Sequence, residues 1–494
     1  MDLDNPTYLR SRRDFIRQAA CAALGTASLT GTIRDLRIIN SAMAHELLGD
    51  YKALVCIFLS GGNDANNLIV PRGTDYGNYA AIRQNLAIPE SALHQITSTN
   101  SDGHDYGLHP SCRKMALDGT TPTGLHQLFV EKKLGVLFNV GTLVQPIADR
   151  AQYQSKFVNK PPQLFSHSDQ VTQWQTSIPD QVPRSGWGGR IADLLHPQQV
   201  ELVNSIPTAQ SAKISLCTSL AGSNTFEVGN VFQQYHVSTS GAVLISTGGN
   251  NATGINRLNA LKSILALDRV NLQQQAYAEV TERAIATGDL LTTAISPTAS
   301  NGFWSTPFVN NSLGNQLKMV ARLIQARDAL SMKRQIFFCS VGGYDTHTAQ
   351  VGATGGVPDQ TVGAHANLIS ELSDGMFAFQ RALEQIGISD RVTSFTASDF
   401  GRTFPTNGQG SDHGWGNHQL IMGGAVRGGQ TYGTLPILSV NGPDDTGLGR
   451  WIPKIAVDQY SATLAKWFGV GAGEMSTVFP NLGRFATSDL GFMI

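Results

Sequence analysis

Thiols are scarce in this chain. Five cysteines serve 494 residues, and no two stand in Cys-x-x-Cys spacing, which excludes the common thiolate zinc sites. Cys56 and Cys339 sit inside apolar runs and read as buried thiols. Cys112 and Cys217 are the pair that an oxidising compartment could join. A basic excess is also missing: 36 Lys and Arg face 37 Asp and Glu, for a net charge of −1. Nucleic acid needs a basic face, so it is excluded as a partner. No uncharged apolar run reaches the roughly 20 residues of a membrane-spanning helix. Glycine is plentiful, at 51 residues, and it serves sharp turns and close backbone approaches.

The N-terminus reads differently from the rest. Ser11-Arg12-Arg13-Asp14-Phe15-Ile16-Arg17 sets twin arginines before an apolar pair, and a mildly apolar run follows over 19–33. Ala42-Met43-Ala44 then has the small-residue spacing of a cleavage site. The pattern resembles a bacterial twin-arginine export signal. It predicts a removed signal over 1–44, the export machinery as a partner, and a periplasmic or secreted location. The mature chain, 45–494, is then expected to be soluble.

Ala53–Leu59, Leu134–Asn139, Gln335–Ser340 and, less cleanly, Arg391–Thr396 are apolar runs of strand length. Continuous runs suit parallel strands buried on both faces. Helical patterns lie between them, over Gly124–Lys133, Asn315–Leu330 and Gly363–Ile386. In the last, Leu368, Leu372, Met376, Phe379 and Leu383 recur at helical spacing. The alternation predicts a doubly wound α/β fold with a mostly parallel central sheet. The middle third differs. Gln199–Gly249 is rich in Ser, Thr and Gly, and Asn256–Leu291 returns to helix. Residues 190–310 are therefore read as a mixed α/β cap elaborating the core.

Chemistry gathers where the strands end. Gly61-Gly62-Asn63-Asp64 follows the first run, and Gly342-Gly343-Tyr344-Asp345-Thr346-His347 follows the third. The fourth leads into Thr396–Gly424, which packs Asp399, Asp412, His413 and His418 among glycines. Acids at three strand ends converge if the strands share one carboxyl edge. Asp and His without thiolate suit a divalent ion; the mixture favours Zn or Mn, with Ca or Mg open. Two ions about 4 Å apart would clamp a phosphoryl group. Each residue also has a plainer reading, since Asp after Gly-Gly commonly turns the chain or caps a helix. Ser166, in Ser166-His167-Ser168-Asp169, is a candidate nucleophile and equally a helix cap. Arg402 could clamp an oxyanion or pair with a structural carboxylate. His104, Asp105 and His109 form a polar knot read as structural.

The order of these motifs, from Gly61-Gly62-Asn63-Asp64 through Gly186-Trp187-Gly188-Gly189-Arg190 to Met422-Gly423-Gly424, resembles the DUF1501 family of exported bacterial proteins. That family is similar to the alkaline phosphatase superfamily, with sulfatases and cofactor-independent phosphoglycerate mutases as distant relatives. The resemblance implies an alkaline-phosphatase-like fold. It implies Asp345, His347 and His413 on a first ion, Asp64 and Asp399 on a second, and Ser166 as the attacking group. Asp412 and His418 would be neighbours or substitutes. Two departures stand out. The phosphatases space the first pair as Asp-x-x-x-His, where this chain has Asp345-Thr346-His347, and they carry His where this chain has Phe400. The sulfatase Cys/Ser-x-Pro-x-Arg signature is absent. The expected function is metal-dependent hydrolysis of a small anionic ester, of phosphate or a related acid such as sulfate, through a metal-activated Ser166, with one or two ions. The alternative is a non-catalytic binding or assembly protein on a degenerate phosphatase fold.

Overall fold

The computed structural model describes residues 50–494 apart from 101–102, 117, 197–201, 204–205, 208–211, 246–250, 268–270 and 301. The predicted signal over 1–44 lies outside the described residues. Ten strands form the main sheet: β1 (Lys52–Leu59), β2 (Leu134–Gly141), β3 (Cys217–Ser219), β4 (Tyr235–Ser238), β5 (Gly241–Ala242), β6 (Arg334–Val341), β7 (Val392–Ser398), β8 (Asn417–Gly423), β9 (Thr431–Tyr432) and β10 (Ile455–Ala456). Their spatial order is β5-β4-β3-β6-β1-β7-β8-β2-β9, with β10 also on β2. β1 pairs in parallel with β6 and β7. β8 runs antiparallel to both β7 and β2, so it starts at the edge where its neighbours finish.

Alternation along β1 explains the two layers. Ala53, Val55, Ile57 and Leu59 pack into one core, and Leu54, Cys56 and Phe58 into the other. The first core is closed by α5 (Ser312–Gln325) and α6 (Ala364–Gln385), through Leu317, Val320, Leu372 and Met376. The second is closed by α1 (His167–Thr176), α2 (Trp187–Leu195) and α7 (Val457–Phe468), through Trp174, Trp187, Ile191, Tyr460 and Phe468. Fully burying a side chain of this size contributes roughly 1.5–3 kcal/mol, so helices are held on both faces. The sheet is doubly wound, as expected. Cys112 and Cys217 lie in opposite cores, and all four described cysteines are free.

Within 190–310, strands β3, β4 and β5 are joined to this sheet rather than separate from it. β3 pairs in parallel with β6, and β4 and β5 extend the edge. The helical stretch is two helices, α3 (Ala252–Leu265) and α4 (Leu272–Ile295). Among the described residues, no helix is long and apolar enough to cross a membrane.

Candidate metal centre

Register places the chemistry. Leu59 stands level with Val341 on one side and Ser398 on the other. The loops after β1, β6 and β7 therefore leave the sheet at one height. Gly61 has a φ of +115°, and a Cβ there would lie 2.4 Å from the Asp345 backbone nitrogen. Only glycine lets the two loops approach so closely.

Three imidazoles and a carboxylate meet above these strand ends. His167 comes from the first turn of α1, Asp345 and His347 from the loop after β6, and His413 from the turn before β8. Behind each ring stands an oxygen that accepts. His167 Nδ1 is 2.7 Å from Asp399 Oδ2, His347 Nδ1 3.0 Å from Asp412 Oδ1, and His413 Nδ1 2.8 Å from the Phe165 carbonyl. In the neutral rings each Nδ1 then carries the proton, and each Nε2 presents a lone pair. Those lone pairs converge. His413 Nε2 lies 3.1 Å from His167 Nε2 and 2.9 Å from His347 Nε2. Asp345 Oδ1 is 3.1 Å from His347 Nε2 and 3.3 Å from His413 Nε2, and its Oδ2 is 3.5 Å from His167 Nε2.

Unprotonated nitrogens and a carboxylate at such distances repel unless a cation sits among them. With bonds of about 2.1 Å, the ligand atoms of a tetrahedral ion lie about 3.4 Å apart. The His167, Asp345 and His413 atoms all fall within 4.8 Å of one another. The donor set fits a divalent ion, and the oxygens behind the rings are the partners that metal-binding imidazoles need.

Electrostatics follow from the surroundings. Burial works to raise Asp345, but the Arg402 guanidinium, 2.6 Å away, outweighs it and holds the carboxyl below its usual range. Burial also works against the Asp412 charge, and Asn407 and His347 overcome it, lowering that carboxyl too. His413 is lowered by burial first, and by the charges of His167 and Arg402.

The structure sorts the predicted residues into two sets. Asp345, His347 and His413 come together. Asp399 stands behind: Oδ2 holds His167, and Oδ1 accepts the Gly61 N–H at 3.0 Å. Asp64 is not brought to the cluster. It is fully buried and paired with the equally buried Arg83, and it also accepts from Gln350 and Asn66. His418 is not brought there either. It lies on β8, where the register shifts, and its Nδ1 accepts the Asn139 N–H at 3.1 Å, replacing a missing ladder bond. Ser166 stands at the N-cap position of α1 without a side-chain capping bond, and its hydroxyl donates to Asp169 Oδ2 at 2.6 Å. Arg402 is buried, with its donors on Asp345 and the Gly61 and Ser411 carbonyls. Phe400, fully buried, lies 4.8 Å from the His167 ring and 4.7 Å from the His413 ring, walling the cluster. His109, from the polar knot, is buried and accepts the Ser111 N–H through Nδ1 at 3.0 Å.

His167 is the candidate ligand that sequence reasoning passed over in favour of Ser166 beside it. A serine–histidine pair opening a helix offers both groups to the same strand edge, and the second is the one that reaches the cluster.

No curated protein matches the sequence. Similar solved structures include PsFucS1 sulfatase from Pseudoalteromonas sp., at 11% identity over 89% of this chain and 72% of that one, with a TM-score of 0.33. Another is Ps i-CgsB in complex with k-i-k-neocarrahexaose, at 10% identity over 87% of this chain and 74% of that one, with a TM-score of 0.31. Likeness at this level bears on neither activity nor ligand. The model of the DUF1501 family, described as a protein of unknown function, matches residues 51–446, and this chain belongs to that family.

Proposed function

We propose that this protein is an exported hydrolase of phosphate or related esters, working with one divalent ion held by His167, Asp345 and His413, with His347 beside them. The observation that carries the reading is the meeting of three Nε2 lone pairs and one carboxylate at the open edge of the sheet. Two imidazole nitrogens and a carboxylate oxygen favour zinc, with manganese next; calcium and magnesium prefer oxygen alone. One ion is favoured over two because Arg83 already neutralises Asp64 and Phe400 fills the space beside the rings.

When bound, the ion would supply a positive centre for an ester oxygen and lower the pKa of nearby water. The chain's own residues arrange the rest. Asp399, Asp412 and the Phe165 carbonyl keep each proton on Nδ1. Arg402 fixes Asp345, and Phe400 keeps water off one side. Asp345 and His347 remain about two-fifths exposed, which leaves the opposite side open to a substrate. Ser166 is engaged by Asp169, so water is the better-placed nucleophile.

The test is elemental analysis of protein folded in vivo, with a panel of phosphomonoesters, phosphodiesters and sulfate esters. About one zinc or manganese per chain is expected, with turnover that disappears in His413→Ala. Metal-loaded protein with no turnover on any ester would sink the hydrolase reading. It would favour a non-catalytic binding or assembly protein instead. That second reading draws on one observation: the Ser166 hydroxyl and the Arg402 donors are already held by the protein itself.

A further inference from the structure

Arg450 stands beside the same cluster in a different state from Arg402. Its Nε donates to the His413 carbonyl at 2.9 Å. Its backbone N–H donates to Asp445 Oδ1 at 2.8 Å. Its guanidinium lies over the Phe165 ring, 4.2 Å from the centroid. Phe165 in turn holds the His413 Nδ1 on its carbonyl and has a φ of +72°, a conformation disfavoured for a bulky side chain. One strained residue thus carries both a ring of the cluster and the guanidinium beside it. Among the described residues, no carboxylate pairs with Arg450, and its two terminal nitrogens have no acceptor. A half-buried guanidinium, fixed through Nε and by stacking, is left with its outer fork unspent.

We propose that this fork recognises the oxyanion of the substrate, its two terminal N–H groups binding two oxygens of a phosphate or sulfate presented to the cluster. A planar fork matches two oxygens of a tetrahedral anion, which an ammonium cannot do. The choice of substrate class rests on the ester-hydrolase reading; the anion site rests on the Arg450 geometry.

The test titrates inorganic phosphate, and separately sulfate, into the metal-loaded native protein and its Arg450→Ala and Arg450→Lys variants, with metal content measured on each. Arg450→Ala is expected to weaken the preferred anion at least about tenfold with the metal retained, and Arg450→Lys to recover only part. On any ester turned over, the loss falls mainly on KM. Preference for one anion names the ester class. Native protein that turns over no ester but binds phosphate or sulfate through Arg450 leaves this inference standing while the hydrolase reading fails. Anion binding as tight in Arg450→Ala as in native protein overturns it. So does a native protein that binds neither anion, or loss of metal in Arg450→Ala, which would make Arg450 a support for His413.

Discussion

Two loops of similar sequence leave neighbouring strands at the same height and end in opposite circumstances. Gly61-Gly62-Asn63-Asp64 follows β1, and Gly342-Gly343-Tyr344-Asp345 follows β6. Asp64 is wholly buried against Arg83, whereas the Asp345 side chain is 43% exposed and faces three imidazoles. The strand delivers the acid, but the next element decides its chemistry. After Asp64 the chain enters the short buried helix Ala65–Leu68, and Tyr76–Arg83 brings a guanidinium back onto it. After Asp345 the chain stays in a loop; Arg402 meets the acid from one side, and the rest of it stays open beside the imidazoles. An acid sealed in with its cation is architecture; an acid left half open beside lone pairs is a site.

The contrast can be broken at its buried end. Arg83→Met would leave Asp64 charged and unpaired in the interior. Breaking such a pair costs about 3–5 kcal/mol, read as a lower urea midpoint. Adding Asp64→Asn removes the stranded charge and should restore part of the loss. Protein that folds should keep its metal. If Arg83→Met is as stable as native protein, Asp64 has another cation and the one-ion reading fails.

At the open end, Asp399→Asn tests the oxygens behind the rings. The amide oxygen can still accept the Gly61 N–H, but its NH₂ group then faces His167 Nδ1. That forces the imidazole proton to Nε2, the atom aimed at the cluster. Metal affinity should fall about 10–100-fold, measured by competition with a chelator. Asp64→Asn, near in sequence motif and remote in chemistry, should leave the affinity unchanged. Equal losses in the two variants would erase the distinction.

Much of this was legible from the chain. Apolar runs located β1, β2, β6 and β7, because strands buried on both faces have no polar face to confuse the pattern. Acids after those runs had to share one edge once the strands were parallel. Less visible was β8. Its first half, Asn417-His418-Gln419, is polar yet buried, because Gln419 bonds Thr396 and His418 completes a shifted ladder. Polar residues satisfied by distant partners look like loop, so His418 was expected on a turn among the ligands. Arg83 was invisible for the same reason: nothing local ties a helix residue to an acid 19 positions earlier.

His418 and His413 extend the comparison to pH. Burial holds His418 neutral, with its pKa down at about 4 against 6.5 for the free group. Between pH 6.5 and 4 the unfolded chain binds a proton that the folded chain refuses. Stability therefore falls as pH falls, by about 1.4 kcal/mol per pH unit from this residue. His418→Asn keeps an oxygen to accept the Asn139 N–H and cannot titrate. Its urea midpoint should decline less steeply than that of native protein below pH 6.5. An unchanged slope would mean that His418 is solvated, and then it returns as a candidate ligand.

The smallest effect belongs to Ser166. Its hydroxyl donates to Asp169 and does not accept from the backbone of the first turn, so Ser166→Ala should cost no more than about 1 kcal/mol of stability. Metal content should not move, because His167 is held by Asp399 and not by its neighbour. Turnover should not move either if water attacks. A metal-loaded Ser166→Ala protein that folds normally but loses turnover by about 100-fold or more would reverse the assignment, since losses of that size accompany removal of a nucleophile rather than of a cap. The serine would then belong with the open cluster, and the Asp169 contact would be its resting state.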